Sequence, residues 1–170
     1  MKLYIVRHAS AEAAGETEPE TDSQRQLTDK GRKKMTRIAR GLKELEPKLD
    51  RILTSPYLRA AQTAEILRKT YRLDPARVSE SPNLVPMGSA DQLIAEMLAN
   101  YSDAKRIALV GHEPSLSQLI SVLTSGDTGL AIHFKKGGIC RLSVDTLQYG
   151  RCAVLDWILF PSQLVNIGRP

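Results

Sequence analysis

The chain begins with a short apolar segment that leads directly into an arginine and a histidine. Leu3 to Val6 is apolar and β-prone, and Arg7 and His8 follow it with no spacer. A buried strand of this kind delivers both side chains to the carboxyl edge of a sheet, where open α/β sheets keep their ligand crevices. A guanidinium suits phosphate or carboxylate oxygens, and a neutral imidazole can act as a base or a nucleophile. We therefore expect Arg7 to hold an anion that His8 attacks.

Two further predicted strands, over residues 50–54 and 106–110, lead into polar residues in the same way. Ser55 followed by proline is a recurrent helix start, so a helix is predicted directly after the first of these strands, with Ser55 as its cap. Arg59 falls in the first turn of that helix, near the positive end of the helix dipole. His112 follows the second strand, just before the entrance of another helix. If the strands are parallel, Arg59 and His112 reach the edge that carries Arg7 and His8.

The remaining elements follow from hydrophobic periodicity and turn signals. The helices are expected over residues 28–46, 57–71, 89–101 and 115–124, and a short strand over 77–80. Two β-prone runs, 138–144 and 151–159, predict a C-terminal β-hairpin with its turn near residues 148–150. This turn places Cys152 opposite Asp145 rather than Cys140, so no disulfide is expected. Residues 9–26 carry five acidic residues and no apolar period, which is typical of an exposed loop.

Bulk properties restrict the class of protein. A chain of 170 residues without a visible linker or repeat predicts a single domain over residues 1–170. Two cysteines form no disulfide framework, no run of 18 apolar residues is present, and the first residues lack the features of a signal peptide. A cytoplasmic location is therefore expected, with no membrane segment. The net charge of +5 suits an anionic substrate or an acidic partner, whereas 5% aromatic residues and no known motif argue against nucleic acid.

Phosphoryl transfer is the chemistry that these residues favour. Two arginines could neutralise a dianionic phosphoryl group, one histidine could accept it covalently, and the other could stabilise the transferring oxygens or move a proton. Spacing alone leaves open which of His8 and His112 does which. The histidines, which also include His133, show no HxH or HExxH pairing, so a metal site is not expected. Neither a GxxxxGK[ST] phosphate loop nor a GxSxG nucleophile elbow is present.

Four segments resemble the signatures of the histidine phosphatase superfamily, and they occur in that family's order. Arg7-His8-Ala9 resembles its RHG signature, and the other matches are SPYLRAAQTA at residues 55–64, GHEP at 111–114 and LTDKG at 27–31. The short length, with no large cap insertion, is similar to the SixA-type phosphohistidine phosphatases. The resemblance implies a three-layer α/β/α sandwich with a mostly parallel central sheet. It also implies a phosphorylated nucleophile at His8, a phosphate pocket completed by Arg7, Arg59, His112 and Ser55, and no metal or organic cofactor.

Two positions depart from the family pattern. Ala9 replaces the usual glycine, which is acceptable if its backbone φ is negative. Asn83 falls about where many members place an acidic proton donor. Expelling an imidazole from phosphohistidine demands less of a general acid than expelling an alkoxide, so this asparagine favours a phosphoramidate substrate. Glu113, beside His112, is a spare candidate for the proton donor.

The function expected from the sequence is that of a metal-independent phosphatase that acts on phosphohistidine in a protein, through a phospho-His8 intermediate. The protein substrate expected is a phosphorelay or histidine-containing phosphotransfer domain. The alternatives are a small-molecule phosphomonoesterase of the same superfamily and a non-catalytic phospho-binding module. Such a module would dock through the basic helix at residues 28–46, although a solvated helix face is the simpler interpretation of its charges.

Overall fold

The computed structural model describes residues 1–13 and 19–169. Within this part of the chain, six strands form one sheet: β1 Lys2–Arg7, β2 Arg51–Thr54, β3 Val78–Glu80, β4 Arg106–Gly111, β5 Ile139–Val144 and β6 Ala153–Leu159. Their order in the sheet is β3-β2-β4-β1-β5-β6. Strands β1 to β4 run parallel to one another, whereas β5 runs antiparallel to β1 and to β6. The predicted mostly parallel sheet with a C-terminal hairpin is confirmed.

Helices cover both faces of this sheet. The described α-helices are α1 Asp29–Leu45, α2 Leu58–Tyr71, α3 Ala90–Asn100, α4 Ser115–Ser125 and α5 Pro161–Ile167. Along β1, Leu3 and Ile5 join the core beneath α3 and α4, whereas Tyr4 and Val6 join the core beneath α1, α2 and α5. A strand buried on both faces has to be apolar at successive positions, which is why the first strand shows no alternation. The predicted three-layer α/β/α sandwich is therefore confirmed.

The capping residues predicted from the sequence mark the starts of α1 and α3 correctly. The Thr28 side chain accepts a hydrogen bond from the backbone N–H of Gly31, at 3.0 Å, and so caps α1. Ser89 caps α3 in the same way. The cap predicted for α2 was wrong: the helix begins at Leu58, Tyr57 occupies the N-cap position, and the Ser55 hydroxyl is engaged elsewhere. The short α5 was not predicted, because seven residues are too few to establish an apolar period.

The hairpin register agrees with the turn read from the sequence. Val144 pairs with Ala153, and the same register places Asp145 opposite Cys152, as expected. Farther from the turn, a bulge between Arg141 and Leu142 shifts the register by one residue. Both cysteines are free, which confirms that no bridge joins them. No helix in the described ranges is long and apolar enough to cross a membrane.

The described parts of the acidic segment, residues 9–13 and 19–26, are more ordered than the exposed loop that was predicted. Residues 14–18 of this segment lie outside the described residues. After them, Pro19–Gln24 forms a 3₁₀ helix, and Ala11 bridges to Leu27 next to α1. This path carries Asp22 onto α2, with consequences for the site.

Candidate active site

Parallel pairing gathers the predicted site residues at one edge of the sheet. β4 lies between β1 and β2, with Arg7 opposite Gly111 and Thr54 opposite Val110. His8, Ser55 and His112 each follow the last residue of one of these three strands. The backbone ladder continues into the site, since the His8 N–H donates to the Gly111 carbonyl at 3.1 Å. The strand ends therefore meet as the sequence predicted.

One ring nitrogen of His8, Nε2, carries a lone pair that faces Arg59. The ring is 6% exposed, and its Nδ1 lies 2.7 Å from the Ala9 carbonyl oxygen. A carbonyl can only accept, so Nδ1 carries the proton and Nε2 is left as the acceptor of the neutral ring. Arg59 Nε donates to this Nε2 at 3.3 Å. Burial, aided by the charges of Arg59 and Arg7, lowers the pKa of His8 to about 4, so the ring is neutral at physiological pH.

Ala9 fits its position beside His8. It is 2% exposed, and its N–H donates to the Thr63 hydroxyl at 3.1 Å. It is not among the non-glycine residues with positive φ, so the condition set for replacing the family's glycine is met. The extra methyl group is accommodated without backbone strain.

His112 lies beside His8 with one unsatisfied nitrogen. The two ring centroids are 4.9 Å apart. His112 Nε2 lies 2.9 Å from the Ser55 Oγ, whereas its buried Nδ1 has no hydrogen-bond partner among the described residues. Burial lowers the pKa of His112 to about 3, with a further contribution from its neighbour His8. The Ser55 hydroxyl, which already accepts the Tyr57 N–H, can donate its own hydrogen to Nε2; the ring proton then lies on Nδ1, where it can bind an incoming oxyanion.

The structure brings two guanidinium groups to the same edge, one buried (Arg59) and one half-buried (Arg7). Arg59 is 3% exposed. Arg7 donates from Nη1 to the Phe134 carbonyl at 2.5 Å, and its buried Nε has no partner within the described chain. Burial lowers the Arg7 pKa, whereas the charge of Glu113 opposes that shift. A buried cationic donor without a partner, such as Arg7 Nε, is costly unless an anion pairs with it, so the two positive charges suit this edge to an anion.

Asp22 is a member of the site that the sequence did not reveal. Arg59 Nη1 donates to the Asp22 backbone carbonyl at 2.6 Å, and Nη2 donates to its carboxylate at 2.9 Å. Arg25 donates to the same carboxylate at 2.7 Å. Partial burial alone would raise the Asp22 pKa, but the hydrogen bonds from the two arginines outweigh it and hold the pKa below its ordinary value. Asp22 thus fixes both terminal nitrogens of Arg59, Nη2 through its carboxylate and Nη1 through its backbone carbonyl, and leaves Nε directed at His8.

Ser55 and Tyr57 support the ring of His112 from the segment before α2. The Ser55 Oγ accepts the N–H of Tyr57 at 3.2 Å as well as contacting His112. The Tyr57 ring meets the His112 ring edge-on, at 5.2 Å between centroids, and the Arg59 guanidinium lies 5.2 Å from the same tyrosine ring. Tyr57 was not singled out by the sequence, because an aromatic residue at a helix start has no distinctive spacing.

The two residues considered in connection with the missing proton donor are both engaged elsewhere. The Asn83 amide donates to Glu96 on α3 at 2.9 Å, and Ser81 donates to the same carboxylate oxygen at 2.5 Å. The Glu113 carboxylate accepts from the backbone N–H and the hydroxyl of Ser117, which secures the start of α4. It also lines a cavity of about 540 Å³ next to Arg7.

The described residues contain no group of three or more histidine, cysteine, aspartate or glutamate side chains that could hold a metal ion. The third histidine, His133, stands apart from the pair formed by His8 and His112. Its ring packs edge-on against Phe160, at 6.0 Å between centroids, and it lines the same cavity as Arg7.

Comparison with known proteins identifies the protein family to which the chain belongs. The family model of the histidine phosphatase superfamily (branch 1) matches residues 3–87, and the chain belongs to this superfamily of phosphatases. An uncharacterized protein of Picosynechococcus sp. (strain PCC 7002) is 38% identical over 144 residues, which are 84% of each chain.

The resemblance extends to SixA-type members, as the motifs indicated. The phosphohistidine phosphatase SixA of Escherichia coli is 27% identical over 165 residues, which cover 96% of each chain. The solved structure of the protein histidine phosphatase SixA in complex with tungstate superposes with a TM-score of 0.80 at 27% identity, over 96% of this chain and 99% of that one.

Removal of the Asp22 carboxylate tests whether it positions the Arg59 guanidinium. We expect Asp22→Ala to lower phosphatase turnover by about ten-fold, in line with the loss of one charge-assisted hydrogen bond. Asp22→Asn keeps an acceptor oxygen and should lose less. Steady-state kinetics of the two variants, with Glu12→Gln as the control for loss of an acidic side chain from the same loop, measures the effect. Faster turnover in Asp22→Ala would instead mean that the carboxylate competes with the substrate for Arg59.

Proposed function

We propose that this protein is a phosphohistidine phosphatase that removes the phosphoryl group from a histidine of a partner protein through a phospho-His8 intermediate. The observation that carries the proposal is the Nε2 lone pair of His8, placed 3.3 Å from Arg59 Nε and beside the unpaired nitrogens of Arg7 and His112. Similarity to the phosphohistidine phosphatase SixA of Escherichia coli supports the choice of substrate. In this proposal Arg7, Arg59, His112 and Ser55 form the phosphate pocket.

The reaction divides into two transfers. His8 Nε2 attacks phosphorus while the P–N bond of the protonated substrate imidazole breaks, and that imidazole leaves as a neutral ring. A water molecule then attacks phospho-His8, which yields inorganic phosphate and restores the neutral His8 ring. Arg7 and Arg59 neutralise the charge on the phosphoryl oxygens in both transition states, and His112 Nδ1 binds one of those oxygens. Neither step assigned to these residues requires a metal ion.

Starting from a neutral His8 is important for this route. An imidazolium has no lone pair, so protonation of His8 would prevent attack on phosphorus. With its pKa lowered to about 4, His8 remains a nucleophile throughout the physiological range. The hydrogen bond from Nδ1 to the Ala9 carbonyl also keeps the reactive lone pair on Nε2 and stabilises the positive charge that develops on the ring during attack.

The side chains near the proton-donor position favour a nitrogen leaving group. Asn83 carries no ionisable group, and its amide is bound to Glu96. An alkoxide would need a proton from an acid at that position, whereas a protonated imidazole leaves without one. This contrast favours phosphohistidine over sugar phosphates and other phosphoesters.

A protein substrate, and specifically a phosphotransfer domain, is the proposed partner. The cavity beside Arg7 is lined by the side chains of Lys34, Lys135 and Lys136, all exposed to solvent. A phosphohistidine on a convex protein surface could approach a rim of this kind. We also propose a cytoplasmic location, since both cysteines are free thiols, as expected in a reducing compartment.

A substrate panel tests the proposal. We expect efficient hydrolysis of a phosphohistidine-bearing phosphotransfer domain and of phosphoramidate, and little hydrolysis of sugar phosphates and other alkyl phosphoesters, measured as phosphate release with and without a chelator. Preferential turnover of the phosphoesters would instead identify a small-molecule phosphomonoesterase. Binding of the phosphorylated domain without phosphate release would identify a non-catalytic module.

A further inference from the structure

The side of α1 that faces α5 forms a groove lined by cations. We call it the α1–α5 groove, and it has a volume of about 630 Å³. Its lining consists of Lys30, Lys33, Lys34, Arg37, Ser162, Val165, Asn166 and Arg169. The five basic side chains face solvent, and no acidic residue is among those that line it. The helix α1 carries seven basic and two acidic residues, an excess that equals the net charge of +5 of the whole chain.

The basic side chains of the groove belong neither to the buried face of α1 nor to an ion pair in the described residues. The helix α1 packs on the sheet through its opposite side, with Met35, Ile38 and Leu42 buried. Lys33 and Lys34 each stand three or four positions from both Lys30 and Arg37, a spacing at which like charges repel. In the described ranges, no salt bridge or side-chain hydrogen bond involves any of the five. A cluster that repels itself without internal compensation points to a partner that brings the opposite charge.

The α1–α5 groove continues into the rim of the active site. Lys34 lines both the groove and the cavity beside Arg7, and Pro161, the first residue of α5, lines that cavity as well. Lys135 and Lys136 extend the positive charge along the cavity, where Glu113 is the acidic member of the lining. A single basic surface therefore leads from Arg169 to the guanidinium of Arg7. A molecule bound along it would have its edge at the catalytic histidine.

We propose that the α1–α5 groove docks an acidic face of the phosphoprotein substrate and thereby presents the phosphohistidine to His8. The inference rests on the proposed function and adds the recognition surface and the charge of the partner. Opposite charges steer the encounter and fix its orientation, so the docking acts mainly on association. Small phosphoramidates, which lack such a face, reach His8 without using the groove.

Charge reversal in the groove, away from the cavity, tests the proposal. We expect Lys33→Glu/Arg37→Glu to lower kcat/KM for a phosphohistidine-bearing acidic phosphotransfer domain by about ten-fold or more at low salt, and to flatten its salt dependence. Hydrolysis of phosphoramidate by the same variant should be unchanged. The matched control is Arg40→Glu/Lys48→Glu, which changes the net charge by the same amount at exposed cations outside the groove. This control should retain most of its activity on the protein.

Other outcomes overturn the proposal in distinguishable ways. Equal losses in the groove and control variants would assign the effect to net charge, and unchanged activity on the protein in both would remove the docking role. Wild-type protein that hydrolyses neither substrate would refute the proposed function itself. A groove variant that loses binding to duplex DNA or to phosphatidylglycerol vesicles, with full activity on the phosphoprotein, would assign the groove to a different polyanion.

Discussion

Replacement of His8 by alanine is expected to reduce phosphatase turnover by on the order of 10⁴-fold or more, because the atom that attacks phosphorus is removed. The proposed route forms a P–N bond at His8 Nε2, so the variant should also lose the acid-labile phosphoryl label that the wild-type enzyme acquires from a labelled substrate. Single-turnover kinetics and acid-quenched labelling measure the two effects. The ring is buried and makes two hydrogen bonds, one to the Ala9 carbonyl and one from Arg59, and neither belongs to the sheet ladder or to a helix, so the variant should fold.

His112→Ala is the matched control for this assignment. It removes a second buried imidazole 4.9 Å away while leaving the proposed nucleophile in place. We expect slower turnover in this variant but persistent labelling. A label that survives in His8→Ala and disappears in His112→Ala would transfer the nucleophilic role to His112. Comparison of the thermal unfolding of both variants with that of the wild type separates lost chemistry from lost structure.

Replacement of Arg59 is expected to have the second-largest effect. Arg59→Ala should lower kcat/KM by roughly 10² to 10³-fold, the range found when one pre-organised donor to a developing charge is removed. Two losses combine here, because the guanidinium no longer neutralises the phosphoryl oxygens and the Asp22 carboxylate keeps only Arg25 as a partner. Arg59→Lys keeps the charge but cannot reproduce the planar fork, so we expect it to recover only part of the activity.

The pH profile provides a second readout for Arg59. Its positive charge helps to hold the His8 pKa near 4, with burial as the main cause. Activity requires the neutral ring, so it should be present above that pKa and lost as the pH falls through it. Without Arg59 the pKa of His8 rises, and the acid limb of kcat/KM should move to higher pH. An Arg59→Ala variant with full activity and an unmoved acid limb would remove this residue from the site.

Strand ends were predictable from sequence because their signals are local. An apolar run that leads into polar residues marks the end of a strand, and a helix start can follow it. These signals placed Arg7, His8 and His112 at strand ends and Arg59 in the first turn of a helix. Parallel order then brings them to one edge, as β1, β4 and β2 do. The hairpin register was predictable for the same reason, since a turn sets the pairing of the residues next to it.

The contact between Asp22 and Arg59 was not predictable from sequence. It joins residues 37 positions apart, and one partner belongs to a segment with no period and several equivalent acidic residues. Ser55 shows the opposite case, because its helix-start signal was genuine but its hydroxyl is turned to His112 instead of capping α2. A local signal predicts where a turn occurs, whereas tertiary contacts decide which partner the side chain takes.

The location of β1 within the sheet affects how the proposed active site responds to thermal motion. The strand lies between a parallel and an antiparallel neighbour, and four of its side chains are fully buried. Amides in such central strands open only when the whole molecule unfolds, whereas edge segments open locally. The proposed nucleophile is thus attached to the most persistent part of the protein. Partial loosening of the periphery leaves its position unchanged, and inactivation by heat should coincide with global unfolding.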